Sequence, residues 1–210
     1  MPDRKVKKTA DPNTEAKIKT AARTIFHTKG FAAARTRDIA EEAQINLALL
    51  NYYFGSKEKL FQLIMFETLS EFFKNMGAVF NDETTTLENK IQLIAEKYID
   101  MLIAEPEIPF FIMGEIRSHG PELVEKLPSA NAILQSVFFI QYKEAINKRK
   151  ITELNPLHFL MNIMGLVVFP FVNSTMLKKV GKLKDKQFNM LMEERKKLIP
   201  IWMNAMLYAK

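Results

Sequence analysis

The stretch NLALLNYYFGSKEKLF, Asn46 to Phe61, decides how this chain is read. It opens as a short helix capped by Asn46, carries Leu-Ala-Leu-Leu through its first turn, and exits on two tyrosines, a phenylalanine and Gly55. Ser56 then caps a second, charged helix that starts at Lys57. Upstream, Thr36 is expected to cap a short helix over RDIAEEA, with Asp38 set against the positive end of its dipole. The residues QIN, 44–46, form the tight turn between the two short helices.

Ile39, Ala40, Ile45, Leu50 and Tyr53 fall where two helices crossing steeply face each other, and Ala40 is small where the backbones approach. This is helix-turn-helix spacing, in which the second helix enters a DNA major groove. A helix in a groove about 12 Å wide needs phosphate contacts on both rims. Tyr52 and Tyr53 offer hydroxyl donors on rigid stems. Thr36 and Arg37 lie at a positive helix N-terminus, and Lys57 adds a charge beside the tyrosines. Core packing is the competing role for Tyr53 and Phe54.

Charge supports the same end of the molecule. The chain has a formal charge of +6. Residues 1–60 hold 12 Lys/Arg against 7 Asp/Glu, and residues 61–210 hold 18 against 17, so nearly all the excess lies in the first quarter. A polyanion-binding domain and a solvated surface with a basic tail both account for that asymmetry. The arm RKVKK, Arg4 to Lys8, either adds minor-groove or phosphate contacts or is a disordered tail.

Helical periodicity dominates the remaining sequence and no alternating strand stands out, so the fold class is all-α, with about nine helices. A first helix begins at Asp11-Pro12 or Thr14 and runs to about Lys29, with Ile18, Ala21, Ala22, Ile25 and Phe26 on one face. Gly30 stops it and Phe31 folds back. Further helices are expected from Lys57 to about Phe80, from Thr85 or Thr86 to Ala104, and from Pro109 to Ser118. A short one opens at HGP, 119–121, and another runs from about Ala130 to Lys148. Asn155-Pro156 opens a long apolar helix bent at Pro170, and the last runs from about Lys186 with a kink at Pro200.

The segment Ala21 to Phe61, AARTIFHTKGFAAARTRDIAEEAQINLALLNYYFGSKEKLF, resembles the tetracycline-repressor (TetR) family of bacterial transcription regulators. Its marks are a Phe before a KGF turn, a Thr-Arg-Asp-Ile-Ala helix start and a Tyr-Phe-x-Ser-Lys-Glu-x-Leu exit. The resemblance implies an N-terminal DNA-binding helix-turn-helix domain, residues 1–56, and a C-terminal effector-binding and dimerisation domain, residues 57–210. It implies a homodimer on a near-palindromic operator, with phosphate contacts at Thr36, Arg37, Tyr52 or Tyr53, and Lys57. Groove-facing positions fall on Asn46, Leu47, Ala48, Leu49 and Asn51. Two departures matter. Gln44 stands where the family usually has Gly, which implies a left-handed residue at a cost of about 1 kcal/mol. Asn51 replaces a frequent Tyr, and Asn can pair bidentately with adenine.

The larger part holds 13 of the 16 Phe and 11 of the 12 Met. By the resemblance it encloses an effector pocket and ends in two helices that form a four-helix dimer interface. Paired phenylalanines in IPFFIMGEI and SVFFIQY, with the long helix, give the candidate pocket: Phe110, Phe111, Met113, Phe138, Phe139, Tyr142, Met161, Met164 and Phe169. Convergence on a cavity means a largely apolar or amphipathic effector; convergence on a filled core means none. On the last helix Phe188, Leu191, Met192, Arg195, Leu198, Ile199, Trp202 and Met206 form a stripe wide enough to pair with a second copy.

The sequence offers no catalytic or cofactor motif. Its three histidines, His27, His119 and His158, are scattered without metal-ligand spacing, and no GxSxG, P-loop, HExxH or CxxC occurs. With no cysteine, no secretory h-region and no apolar run of spanning length, a cytoplasmic protein with no membrane partner is expected. The reading is a TetR-type regulator, a repressor rather than an enzyme, needing no metal or cofactor. The rival is an all-α lipid or hydrophobic-ligand carrier, or an enzyme, whose basic front end is incidental or touches lipid headgroups.

Overall fold

The computed structural model describes residues 12–126 and 133–208, the side chains of 119–126 excepted, and every regular element there is a helix. Ten are present: α1 (Pro12–Ala33), α2 (Thr36–Glu42), α3 (Leu47–Phe54), α4 (Lys57–Asn81), α5 (Leu87–Ala104), α6 (Ile108–Lys126), α7 (Val137–Asn147), α8 (Pro156–Val172), α9 (Ser174–Gly181) and α10 (Asp185–Tyr208). The chain divides into two compact units, Met1–Thr68 and Leu69–Lys210, so the dividing point lies within α4. The basic arm at Arg4–Lys8, Asp11 and the expected helix start at Ala130 lie outside the described residues, as does the His119 side chain.

In the first unit α1 buries the expected face, Ile18, Ala21, Ala22, Ile25 and Phe26. The helical path breaks at Gly30 (φ 71°, ψ 162°), a positive-φ conformation that a side chain would crowd against the preceding peptide. Phe31 then turns back into an aromatic trio, 6.0 Å from Phe26 and 4.5 Å from Phe61, with Phe26 and Phe61 edge to face at 5.1 Å. Each such pair contributes about 0.5–1.5 kcal/mol beyond burial. Ile39, Ala40 and Leu50 close the contact of α2 with α3, while Ile45 and Tyr53 are half-buried at its edge.

Thr36 is not the cap of α2. It is the first helical residue, and Arg35 holds the extended cap position at φ −115°, ψ 148°. An arginine side chain has no acceptor, so the bond runs the other way: Arg35 N–H donates to the Asp38 carboxylate at 3.2 Å. Lys29, 2.9 Å away, and that backbone N–H hold the Asp38 carboxyl below its ordinary pKa.

In the second unit α5 packs most extensively on α10, bringing Ile91, Ile94, Ala95, Ile99 and Leu102 against Met192, Ile199, Met203 and Leu207. Phe159, Ile163, Val167 and Phe171 of α8 complete this core. Lys90 is fully buried, yet satisfied. Its ammonium donates to the Asp82 carbonyl and to the Thr85 carbonyl and hydroxyl at 2.8 and 2.9 Å, which ties the loop before α5 to the helix. Burial lowers its pKa.

Three boundaries differ from expectation. Helix α6 continues through His119-Gly120-Pro121 instead of restarting there; a proline removes one ladder N–H without obliging the helix to end. Helix α7 starts at Val137, behind Ser136 in extended backbone. The basic segment after α8 forms an extra helix, α9, bent 70° from α8 and ended by Lys182 in the left-handed region at φ 52°. Pro156 opens α8 as expected, with Asn155 accepting the Leu157 N–H at 2.9 Å. Among the described residues no single helix is long and apolar enough to cross a membrane.

Two tyrosines of this unit make its stability fall at high pH. Burial pushes the phenols of Tyr98 and Tyr142 up to about 12, and Tyr142 also donates to the Glu153 carbonyl at 2.9 Å. The folded chain therefore holds these protons more tightly than the unfolded chain, whose phenols titrate near 10. The contribution is whole below pH 10 and is lost as pH rises to about 12. Urea unfolding between pH 9 and 12 should show that decline, less steep in Tyr142→Phe.

Candidate functional site

The turn between α2 and α3 is closed by backbone bonds from Gln44 N–H to Glu41 O and from Ile45 N–H to Ala40 O, both 3.0 Å. Gln44 takes φ 55°, the left-handed conformation anticipated for the position where glycine would be unstrained. Asn46 caps α3 by accepting the Leu49 N–H at 2.8 Å, so its carboxamide oxygen is committed to the helix. Gly55 at φ 73° ends α3, and the Ser56 hydroxyl accepts the Lys59 N–H at 3.2 Å to start α4.

These local rules fix which side chains of α3 face outward. Leu50 is fully buried and holds the helix down. Asn46, Ala48 and Asn51 are exposed, and Leu47 and Leu49 are half-buried, so the outer surface of α3 is small and mostly apolar. Tyr52 is 65% exposed, and its ring meets Tyr53 edge to face at 5.6 Å. Tyr53 is half-buried, next to Phe54 at 6.2 Å. At the start of α2 Thr36 is half-buried and Arg37 exposed. Arg35 is exposed as well. With the cap one residue earlier than expected, Arg35 joins Thr36 and Arg37 at this helix start.

Lys57 occupies a different role from the phosphate anchor expected of it. Its ammonium donates to the carbonyls of Phe31 and Ala34 at 3.0 and 3.1 Å and lies 4.3 Å over the Phe31 ring. It clips the start of α4 to the turn between α1 and α2. Carbonyls at the C-terminal end of a helix have no intrahelical donor, and this lysine supplies one to Phe31 and Ala34 where α1 ends.

A cavity of about 210 Å³ lies in the second unit. Helix α4 lines it with Phe72, Phe73, Met76, Gly77, Phe80 and Asn81. The other walls are Ile94 and Tyr98 of α5, Ile133 and Ser136, and Leu160, Ile163 and Met164 of α8. Of the nine residues expected to line a pocket, Met164 alone does so. Phe138, Phe139 and Tyr142 are fully buried in an aromatic cluster with Phe159, and Phe111 is buried too. Phe110, Met113, Met161 and Phe169 point outward, each about half exposed. Phe159 fills the space that Phe138, Phe139 and Tyr142 converge on, so that convergence is a packed core and not a cavity wall. The missed signal was the spacing of Phe72, Met76 and Phe80, four residues apart on one face of α4.

The stripe assigned to dimerisation divides in the same way. Phe188, Met192 and Ile199 are buried in the core of the single chain and are core residues, not interface residues. Leu191, Leu198 and Met206 are 37–41% exposed. Trp202 and Arg195 are half-buried and stacked at 5.0 Å, with an Arg195 N–H donating to Leu166 O at 2.7 Å. Ile201, 61% exposed, and Met190 extend the outward face of α10, and Leu157 and Met161 are exposed on α8.

Residues 18–64 match the family model described as bacterial regulatory proteins, tetR family. Over 198 residues the chain is 22% identical to the probable HTH-type transcriptional regulator YttP of Bacillus subtilis (strain 168), spanning 92% of this chain and 93% of that protein. A TetR transcription regulator from Haloarcula marismortui superposes with a TM-score of 0.60 at 18% identity, over 94% of this chain and 100% of the other. The transcriptional regulator FadR from Bacillus subtilis, solved with stearoyl-CoA, superposes with a TM-score of 0.55 at 20% identity, over 88% and 96%. At such identities the structural likeness shows a shared fold.

Two substitutions check the backbone account of this site. Gln44→Gly relieves the left-handed residue and is expected to raise unfolding stability by about 1 kcal/mol. Lys57→Ala leaves two carbonyls without their donor and should cost about 1–3 kcal/mol. Chemical denaturation of each variant reads both.

Proposed function

We propose that the chain, whose residues 18–64 match the tetR family of bacterial regulatory proteins, is a homodimeric, cytoplasmic repressor of that family, released from its operator by a largely apolar effector. The observation that carries this reading is the exposed, small, apolar outer face of α3, bracketed by the α2 N-terminus and by Tyr52. Leu47 and Ala48 meet thymine methyls, and Asn51 reads an adenine edge. Thr36, Arg37, Tyr52 and Tyr53 hold phosphates, joined by Arg35. Lys57 acts behind them, holding the helix ends rather than the DNA. With few polar base readers, much of the specificity comes from half-site spacing and DNA shape.

Two copies pair through the outward faces of α8 and α10, where Leu157, Met161, Leu198 and Ile201 leave apolar surface uncovered in the single chain. Pairing sets the two α3 helices about 34 Å apart, one turn of duplex. Helix α4 is continuous from the Lys57 clip to the cavity residues Phe72 to Asn81. An effector that binds the cavity better at another α3 separation shifts the population away from the DNA-competent form by that difference in affinity. FadR's bound stearoyl-CoA shows that a protein of this fold holds a ligand with a long apolar chain.

Operator sequences selected from random duplexes would make the test quantitative. Arg37→Ala should weaken binding on all sequences and reduce the slope of log K against log salt by about 1. Asn51→Ala should relax preference at a single base pair, by about 1–3 kcal/mol. Equal salt slopes for Arg37→Ala and the parent chain would remove Arg37 from the phosphate contacts. Ile201→Glu should convert a dimer in sedimentation to a monomer; an unchanged mass would place the interface elsewhere.

A further inference from the structure

We propose that the cavity of the second unit takes an uncharged, mostly hydrocarbon molecule carrying one hydroxyl or carbonyl oxygen, which hydrogen-bonds to Tyr98 and lies across the bare backbone of Gly77. This deepens, and rests on, the reading of that cavity as the effector site.

The walls decide the charge of the ligand. No lysine, arginine, histidine, aspartate or glutamate is among the described residues that line the cavity. A carboxylate or phosphate entering it would give up hydration with no cation among these walls to replace it, which disfavours the charged form. Among the described residues the polar walls are Asn81, Tyr98 and Ser136. The Ser136 hydroxyl already donates to Ile133 O at 2.6 Å, and the Asn81 amide to Gly77 O at 2.9 Å. Among the described residues the Tyr98 hydroxyl has no hydrogen-bond partner, while its ring is fixed edge to face against Phe72 at 4.8 Å. Burial keeps this phenol protonated, so it can both donate to a ligand oxygen and accept from a ligand hydroxyl.

Gly77 decides where the hydrocarbon lies. It sits well inside a 25-residue helix, a position at which glycine is less favourable than alanine. It adopts no left-handed conformation there, and a Cβ built on it meets nothing within 4 Å. Neither backbone geometry nor protein packing therefore requires a glycine, and the missing side chain leaves open space beside Phe73, Met76 and Phe80. The two phenylalanines give flat apolar contact, and Met76 and Met164 adapt to the shape of what enters.

The test uses the full chain and a matched pair of probes, 1-decanol and decanoate, titrated calorimetrically at pH 7.5. Decanol should bind at least tenfold more tightly than decanoate. Tyr98→Phe should weaken decanol roughly fivefold, the loss of one hydrogen bond, and leave decanoate unchanged. Gly77→Leu should abolish decanol binding while raising the thermal midpoint, because leucine favours the helix and fills the space; Gly77→Ala should raise the midpoint with a smaller loss of binding. Decanoate binding as tightly as decanol, no heat with decanol, or undiminished decanol binding by Gly77→Leu would each overturn the proposal. Retardation of random-sequence duplexes at low salt, run on the same preparations, separates the two readings. A chain that retards DNA but ignores decanol loses only this ligand class, whereas one that binds decanol as stated without retarding DNA keeps the cavity and loses the regulator.

Discussion

A four-residue turn, Ala43 to Asn46, with a left-handed glutamine is the constraint from which the front of this molecule follows. Gln44 turns the chain so that Ile39 and Ala40 of α2 meet Leu50 of α3, and the burial of Leu50 in turn fixes which side of α3 is outside. Had the turn been one residue longer or shorter, α3 would rotate about 100° and hide Ala48 or Asn51. The strain at Gln44 is of order 1 kcal/mol, small beside the several buried apolar side chains that the turn brings together. Stability at this point can therefore tolerate the absence of glycine.

Two lysines perform a task that their charge disguises. Lys57 and Lys90 each direct an ammonium onto carbonyl oxygens left unpaired where one helix gives way to the next. Each ties a helix start to a turn: Lys57 to the break after α1, Lys90 to the loop before α5. In a chain with excess positive charge at one end, the natural inference is that every lysine there meets a polyanion. Formal charge counts groups, whereas geometry determines which of them remain available.

What was legible in the sequence was local. The Asn46 cap, the left-handed Gln44, the Asn155-Pro156 start and the apolar face of α1 all depend on residues within one or two turns and are present as read, while Gly30 breaks α1 without ending it. The Arg35 cap, the continuation of α6 through Pro121 and the extra helix α9 are local too and were missed; the larger misses depend on partners far along the chain. Lys57 finds carbonyls 23 and 26 residues upstream. The paired phenylalanines of α7 fill a core because Phe159 arrives opposite them, and the cavity opens beside α4 instead. The wide stripe of α10 looked like one interface, yet it is two faces, one inside the subunit and one outside. Periodicity shows that a helix has apolar sides; it does not say what covers each.

The central claim is that residues 36–54 present a face shaped for duplex DNA, and amide hydrogen exchange with and without a selected operator tests it most directly. Slowed exchange concentrated at Thr36–Arg37 and across α3, with the cavity walls of α5 unchanged, is the predicted result. Protection that spares α2 and α3 and appears on another surface would contradict the account.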